Sequence, residues 1–272
     1  MIELPFHPDL VLGPLRVAWH SVFSFVGLLA GSQVSVALAR RLVRDGREYA
    51  FAAAVVLGGL AGARAVHVLG NWPQFADRPA AALAFWGGGI AVSGAPLGAA
   101  IGGLVAVKAL RLPLGFLFDV SVIGAALGLA IGRVGDIVNG EHHAVACAVL
   151  PWCVRYTNPE TLGQAHLVHP VVAYDLAWNL VIFTVLFAYW QRIRGRPPEG
   201  RVFWLFLVLY GGGRFLTSFL RLDPIVFAGL QLAQLLGLAY VAAGAAALWA
   251  AARRNQRRSR VAAGGGRATT FM

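Results

Sequence analysis

Seven stretches of the chain stay apolar for roughly the 20 residues that a helix needs to cross a bilayer. They run over 17–39, 50–69, 87–109, 116–131, 171–190, 202–220 and 228–251. Polar residues gather in short blocks between them. The pattern predicts an all-α, polytopic membrane protein with about seven transmembrane helices. The fourth stretch is short, and the third is interrupted by glycines from Gly87 to Gly103. Glycine in a membrane helix permits close approach of a neighbouring helix, so both are counted as spans.

Composition agrees with this reading. The 272 residues are 58% hydrophobic and 13% charged, about half the charged fraction of a soluble domain. A net charge of +11 would suit nucleic acid, but its placement does not. The basic residues sit in "ARRLVRDGR" (39–47), "KALR" (108–111), "QRIRGRPPEGR" (191–201) and "RRNQRRSR" (253–260). With seven spans these blocks follow helices one, three, five and seven, all on one side. The positive-inside rule makes that side cytoplasmic. The N-terminus and the segment 132–170 are then external, and the C-terminus is cytoplasmic. Anionic lipid headgroups account for the charge, so membrane lipids are the expected partner and nucleic acid is not. The expected organisation is one transmembrane domain over residues 1–252 and a basic, disordered cytoplasmic tail over 253–272.

The start "MIELPFHPDLVLGPLRV" lacks the basic region that opens a signal peptide. Cys147 and Cys153 lie in the external segment, where a disulfide can form or stay open. Two cysteines alone do not make a metal site. The sequence shows no nucleotide-binding loop, zinc spacing or nucleophile elbow, so no metal or cofactor is expected.

Ionisable groups at membrane depth are costly unless paired or wet, and each is a candidate for function. Arg64 lies inside the second span with His67 one turn later. Asp119 opens the fourth, and "GRVGDIVNGEHH" follows it with Arg133, Asp136, Asn139, Glu141, His142 and His143. This stretch reads equally as a helix, with positions 133 and 136 on one face, or as a bent segment at Gly135 and Gly140. His169, Tyr174 and Asp175 open the fifth span, while Arg214 lies in the sixth and Arg221, one residue past its end, falls on the same helix face at a spacing of seven. Buried pairs such as Arg64–Asp119 or Arg133–Glu141 are the bland explanation. Yet the arginines near the outer half outnumber the neighbouring acids, and a guanidinium fork suits a phosphate. The residues thus point to a phospholipid headgroup.

The segment from Gly132 to Glu141 resembles the signature of the prolipoprotein diacylglyceryl transferases, Gly-Arg-x-Gly-Asn-Phe-x-Asn-x-Glu. Gly132, Arg133, Gly135, Asn139 and Glu141 match. Asp136 and Ile137 replace the family's Asn and Phe, and Ala144 stands where a glycine closes the pattern. "GARAVHVLGNWPQF" (62–75) resembles the second-helix segment ending in Asn-x-Pro. "HPVVAYD" (169–175) resembles His-Pro-x-x-x-Tyr-Glu, "LYGGGRFLTSFLR" (209–221) resembles Tyr-Gly-x-x-Arg-x-x-x-Glu-x-x-Arg, and Gln234 fits the last helix.

The resemblance implies a seven-helix protein of the bacterial cytoplasmic (inner) membrane. It would move the diacylglyceryl group of phosphatidylglycerol onto the lipobox cysteine of a preprolipoprotein signal peptide. By carry-over, Arg133 and Arg214 hold the phosphate, Glu141 orients Arg133 or the glycerol hydroxyls, Asn139 shapes the site, and Arg221 guides headgroup or peptide. Ser93, Asp136, His142, His169 and Tyr174 join the substrate contacts.

The departures fall on the chemistry. The family's His-Gly-Gly segment, which offers a proton acceptor, reads Ser93-Gly94-Ala95 here. A tyrosine after Trp in the first helix becomes His20, and the glutamate four residues past the sixth-helix arginine becomes Ser218. Because histidine titrates near neutrality, His20 is the favoured replacement base, with His142 next. The alternative is a homologue that binds phospholipid without this catalysis, as a lipid-binding or accessory membrane protein.

Overall fold

A computed structural model describes residues 1–13, 15–84, 89, 91, 94–193 and 200–265. Ser93, a candidate site residue from the sequence, lies outside the described residues. The chain is mostly helical. A short strand β1 (Ile2–Leu4) and a hairpin β2 (Asp9–Leu12) and β3 (Leu15–Ala18) lead into α1 (Trp19–Ala39). Then come α2 (Arg47–Gly70), a single turn α3 (Trp72–Phe75), α4 (Ala95–Leu110) and α5 (Leu114–Asn139). Strand β4 (Val154–Tyr156) precedes α6 (Val171–Ile193) and α7 (Arg201–Ser218). A small hairpin β5 (Ile225–Phe227) and β6 (Leu230–Gln231) leads into α8 (Leu232–Gly265).

Each of the seven apolar stretches coincides with a helix over most of its described residues. Five of these, α1, α2, α5, α6 and residues 232–256 of α8, are long and apolar enough to cross a membrane, which makes the chain a polytopic membrane protein. With 16 residues α4 is shorter, and the 18 residues of α7 include Arg201 and Arg214. The fourth stretch proves longer than its apolar run suggests. Helix α5 continues through "GRVGDIVN" to Asn139, because internal pairing lets its polar residues remain in a buried helix. Helix α8 runs on to Gly265, through residues where the sequence suggests a disordered tail.

The chain forms two compact units, with the boundaries inside α1 and α5. The unit Ser35–Val120 is built on the pairing of α2 with α4. A Cβ added at Gly58 would come 2.5 Å from the Gly98 carbonyl oxygen, and one at Gly62 would come 2.7 Å from Gly98 Cα. Gly94, Gly98 and Gly102, among the glycines of the third apolar stretch, are thus the surface that lets the two backbones meet.

The unit Met1–Val34 with Ser121–Met272 holds almost all the candidate residues. Glycine contacts draw its helices together here too. Gly31 of α1 abuts the Gly124 carbonyl of α5 (Cβ to oxygen 2.5 Å), and Gly211 of α7 abuts the Gly237 carbonyl of α8 (2.6 Å). Beyond α5 the chain leaves helical form. β1 pairs in parallel with β4, Ile2 opposite Val154 and Leu4 opposite Tyr156. The residues Ala144, Val154, Val168, Val171 and Val172 form a small core beneath, flanked by Leu4, Ile137, Tyr156 and Leu220. The cysteines are joined, Cys147 to Cys153 with Cα atoms 5.7 Å apart, so the question that the sequence leaves open is answered in favour of a disulfide.

Candidate active site

Helix α5 supplies the centre of the site. Arg133 and Asp136 stand one turn apart, and Arg133 Nη1 donates to Asp136 Oδ2 at 2.5 Å. Gly135 lies between them because α1 passes too close for a side chain. A Cβ there would come 2.6 Å from His20 Cα and 2.8 Å from the Trp19 carbonyl oxygen. That approach lets His20 Nδ1 donate to the other Asp136 oxygen, Oδ1, at 2.6 Å. Glu141 Oε1 lies 3.3 Å from the same nitrogen. One buried carboxylate therefore joins an imidazole to a guanidinium.

The turn after α5 is tight. Gly140 and His142 both take positive φ, 74° and 66°, a conformation that glycine accepts and a histidine adopts only under constraint. The constraint is visible on both sides. Gly163 packs directly against Gly140, Leu162 N donates to the Asn139 carbonyl at 2.9 Å, and the Tyr156 hydroxyl donates to the Ile137 carbonyl at 2.9 Å. The turn carries His142 back toward Arg133, whose Nη1 lies 3.3 Å from His142 Nε2. Because guanidinium can only donate, His142 accepts. Burial, with Arg221 and Arg133 nearby, pushes its pKa down from 6.5 to about 4, so it is neutral at physiological pH. Glu141 is shifted the opposite way: burial and the neighbouring Asp136 raise its carboxyl above the usual range, against the pull of His20.

A second carboxylate, Asp175 on α6, gathers three arginines. Its Oδ2 accepts from Arg221 Nη2 at 2.5 Å and from Arg214 Nη1 at 3.0 Å, and lies 3.9 Å from Arg133 Nε. The Asp175 side chain is 5% exposed and that of Arg221 only 1%. Arg221 is locked by its backbone as well, in an isolated bridge to Ala144 and by Gln231 Nε2 donating to its carbonyl at 2.9 Å. Its burial among Arg214 and Arg133 holds its own pKa below the ordinary arginine value. Oδ2 cannot satisfy three guanidinium forks. Arg133 Nε and Arg221 Nε remain buried without a hydrogen-bond partner, as does Asn139 Oδ1. Buried donors without a hydrogen bond are costly, and two of them here stand beside three guanidinium groups that share one carboxylate oxygen.

The site thus collects His20, Arg133, Glu141 and His142 about Asp136, and Arg133, Arg214 and Arg221 about Asp175, to which the sequence assigns no role. The signal was available, since Asp175 occupies the acidic position of "HPVVAYD". Ser218, where the family pattern has Glu, is fully buried and donates to the Arg214 carbonyl at 2.6 Å; Asp175 takes over as the charge partner of Arg214. Expected interactions also change hands, as Arg133 pairs with Asp136 while Glu141 faces His20. His169 and Tyr174 stay apart from the arginines. Their side chains approach each other at 3.5 Å, and Trp152 Nε1 donates to the Tyr174 hydroxyl at 2.9 Å. Both line an apolar cavity of about 330 Å³ that reaches Glu141 and His142 and is walled by Ile2, Leu4, Ile137 and Val168.

Among the described residues, the side chains placed to hold a metal ion are His20, Asp136 and Glu141, with donor atoms within 4.8 Å of one another. The Arg133 guanidinium already sits on Asp136 and opposes a further cation there.

Comparison with known proteins identifies the scaffold. Residues 9–250 match the prolipoprotein diacylglyceryl transferase family. A relative from Synechococcus elongatus, named phosphatidylglycerol–prolipoprotein diacylglyceryl transferase, is 34% identical over 245 residues, 87% of this chain and 84% of its own. Relatives of the same name from Gloeobacter violaceus (32% over 243 residues, 88% and 90%) and Clostridioides difficile (28% over 231 residues, 85% and 89%) align over similar spans. The chain belongs to the prolipoprotein diacylglyceryl transferase family.

Proposed function

We propose that this protein transfers the diacylglyceryl group of phosphatidylglycerol to the lipobox cysteine of a prolipoprotein, and that the Asp175 cluster is its phosphate clamp. One observation carries the assignment of the clamp: Arg133, Arg214 and Arg221 converge on one carboxylate oxygen, leaving Arg133 Nε and Arg221 Nε buried and unpaired. A phosphodiester offers the acceptor oxygens that these groups lack.

The chemistry follows from the charge. The acceptor sulfur attacks the glycerol carbon that bears the phosphate, the C–S bond forms, and the C–O bond to phosphate breaks. The leaving glycerol phosphate takes the electron pair and becomes a monoester, gaining negative charge. Fixed guanidinium groups near that oxygen stabilise the change with little reorganisation, the usual means by which a preorganised site lowers such a barrier. Asp175 keeps three like charges together, while Asn139 and Glu141 sit where glycerol hydroxyls would bind. The apolar cavity beside Glu141 and His142, lined by His169 and Tyr174, suits lipid or peptide methylenes.

In this reading the chain crosses the bacterial cytoplasmic (inner) membrane seven times. α4 and α7 span with the other five, the N-terminus is external and the basic C-terminal residues 253–272 are cytoplasmic. Residues 1–252 act as one membrane domain. Labelled phosphatidylglycerol and a lipobox peptide test the proposal with the purified protein. Transfer that disappears in both Arg133→Ala and Arg214→Ala supports it. Binding of phosphatidylglycerol with no transfer would leave a lipid-binding homologue instead.

A further inference from the structure

Two departures from the family pattern meet in space. At the position of the family's asparagine stands Asp136, and at the position of its first-helix tyrosine stands His20. These two residues are 116 positions apart and in contact at 2.6 Å. A third departure removes a histidine, since the His-Gly-Gly segment reads Ser93-Gly94-Ala95. A neutral pair has been replaced by an acid and a base in contact, in a chain that has lost a base elsewhere.

We infer that His20 and Asp136 form a carboxylate–imidazole pair that activates the acceptor thiol, with His20 the proton acceptor and Asp136 its positioning residue. The inference rests on the transferase reading above. Because Nδ1–H is committed to Asp136 Oδ1, the lone pair belongs to Nε2, and Nε2 has no hydrogen-bond partner among the described residues. The His20 side chain is 36% exposed while Asp136 is 5% exposed, so the buried acid fixes the ring and the ring remains open to an incoming group. Gly135 makes this possible by letting α5 lie against the His20 backbone. Around the ring, the charged neighbours are Asp136 and Glu141 on Nδ1, with Arg133 beyond Asp136.

The step balances without a further reactant. The S–H proton moves to His20 Nε2, and the thiolate attacks the glycerol carbon. Glycerol phosphate leaves with the C–O electron pair, and the imidazolium returns its proton to the leaving phosphate or to water. Asp136 keeps both connections throughout, with Oδ1 on the base and Oδ2 on Arg133 of the phosphate clamp. One side chain thereby sets the geometry between the nucleophile's base and the leaving group's stabiliser. An orienting carboxylate of this kind selects the tautomer and supports the imidazolium that forms.

A selenocysteine acceptor separates this role from a structural one. A selenol is already ionised at neutral pH and needs no base. With phosphatidylglycerol in detergent micelles, His20→Gln and Asp136→Asn should each lower kcat on a cysteine lipobox peptide by about 10²-fold, a usual general-base contribution, with KM for the lipid little changed. On the selenocysteine peptide His20→Gln should run within about threefold of the wild type, while Asp136→Asn should keep only the part of its loss that comes through Arg133. His20→Gln also covers the case in which Asp136→Asn fails to fold, because it leaves the Asp136–Arg133 pair intact. Equal losses on both peptides, or no loss on cysteine, would overturn the pair while leaving the transferase reading in place. Loss of wild-type activity to a metal chelator would overturn it too, by putting an ion on His20 Nδ1. A wild type inert on both peptides would sink the transferase reading and this inference with it.

Discussion

Arg64 and Arg221 are both buried guanidinium groups, 5% and 3% exposed as whole residues, and they are satisfied in contrasting ways. Arg64, in the unit Ser35–Val120, donates to main-chain carbonyls: Nε to Ala82 (2.8 Å), Nη1 to Gly89 (2.6 Å), and Nη2 to Ala81 (2.8 Å) and Ala84 (3.1 Å). Its guanidinium also lies 5.5 Å from the Phe75 ring centre. Ala81 and Ala82 belong to a short 3-10 helix, Pro79–Leu83, and carbonyls outside an α-helix need donors from elsewhere in the protein. Arg64 is a strut. Arg221 instead shares one carboxylate oxygen with Arg214 and Arg133, and keeps a buried donor unpaired. The lesson is that burial of an arginine does not mark a site. A binding site is marked by donors in excess of what the protein accepts.

The comparison can be broken from either side. The largest effect is expected from Arg133→Ala, which removes the residue shared by the phosphate clamp and Asp136. Transfer by the folded fraction, measured as kcat/KM, should fall by about 10³-fold or more, equivalent to roughly 4 kcal/mol of transition-state stabilisation. A variant as active as the wild type would remove the clamp from the mechanism. Arg64→Ala should do the reverse. Stranding the carbonyls of Ala81, Ala82, Ala84 and Gly89 should cost about 3–5 kcal/mol of stability, read as a lower Tm in detergent, while the kcat of the folded fraction stays near wild type. A catalytic loss without a stability loss would make Arg64 part of the site. Arg221→Lys is a smaller change: it keeps the charge but loses the planar fork, so an increase of about tenfold in the KM for phosphatidylglycerol is expected, with folding intact.

Legibility in the sequence divides along the same line. Helix placement was readable because twenty apolar residues in a row have few alternatives to a membrane helix, and five of the stretches hold a helix long and apolar enough to cross a membrane. Arg133, Arg214 and Arg221 were readable as candidates for function because their charge is expensive wherever they lie. The pairings were harder, since they depend on where helices cross. Arg133 has acids at three and eight residues' distance, and only the fold says that it takes Asp136 while Glu141 turns to His20. Asp175 was overlooked as the hub because a single carboxylate at a helix start looks ordinary until three arginines arrive from α5, α7 and the turn after α7. Arg64 carried the same signal of burial as the others, and its carbonyl partners could not be seen in side-chain chemistry at all.

His142 gives the finest test of whether the cluster is electropositive. Desolvation, Arg221 and Arg133 bring its pKa down from 6.5 to about 4. The unfolded chain would bind a proton near pH 6.5 and the folded chain only near pH 4. The stability associated with neutral His142 is therefore complete above pH 6.5, is lost progressively as pH falls toward 4, and loses nothing further below that. His142→Gln keeps an acceptor for Arg133 Nη1 and removes the titration. Between pH 7 and pH 4.5 the Tm of the wild type should consequently fall more steeply than that of the variant. With a third of the His142 side chain reached by solvent, the difference should be on the order of 1 kcal/mol. Parallel pH curves would mean that the arginines are screened from His142, and a phosphate arriving there would then meet far less positive potential than three convergent guanidinium groups imply. A slope that persists without ligand and flattens when inorganic phosphate is added would tie the depression to that uncompensated charge, since a bound anion opposes the force that keeps the imidazole neutral.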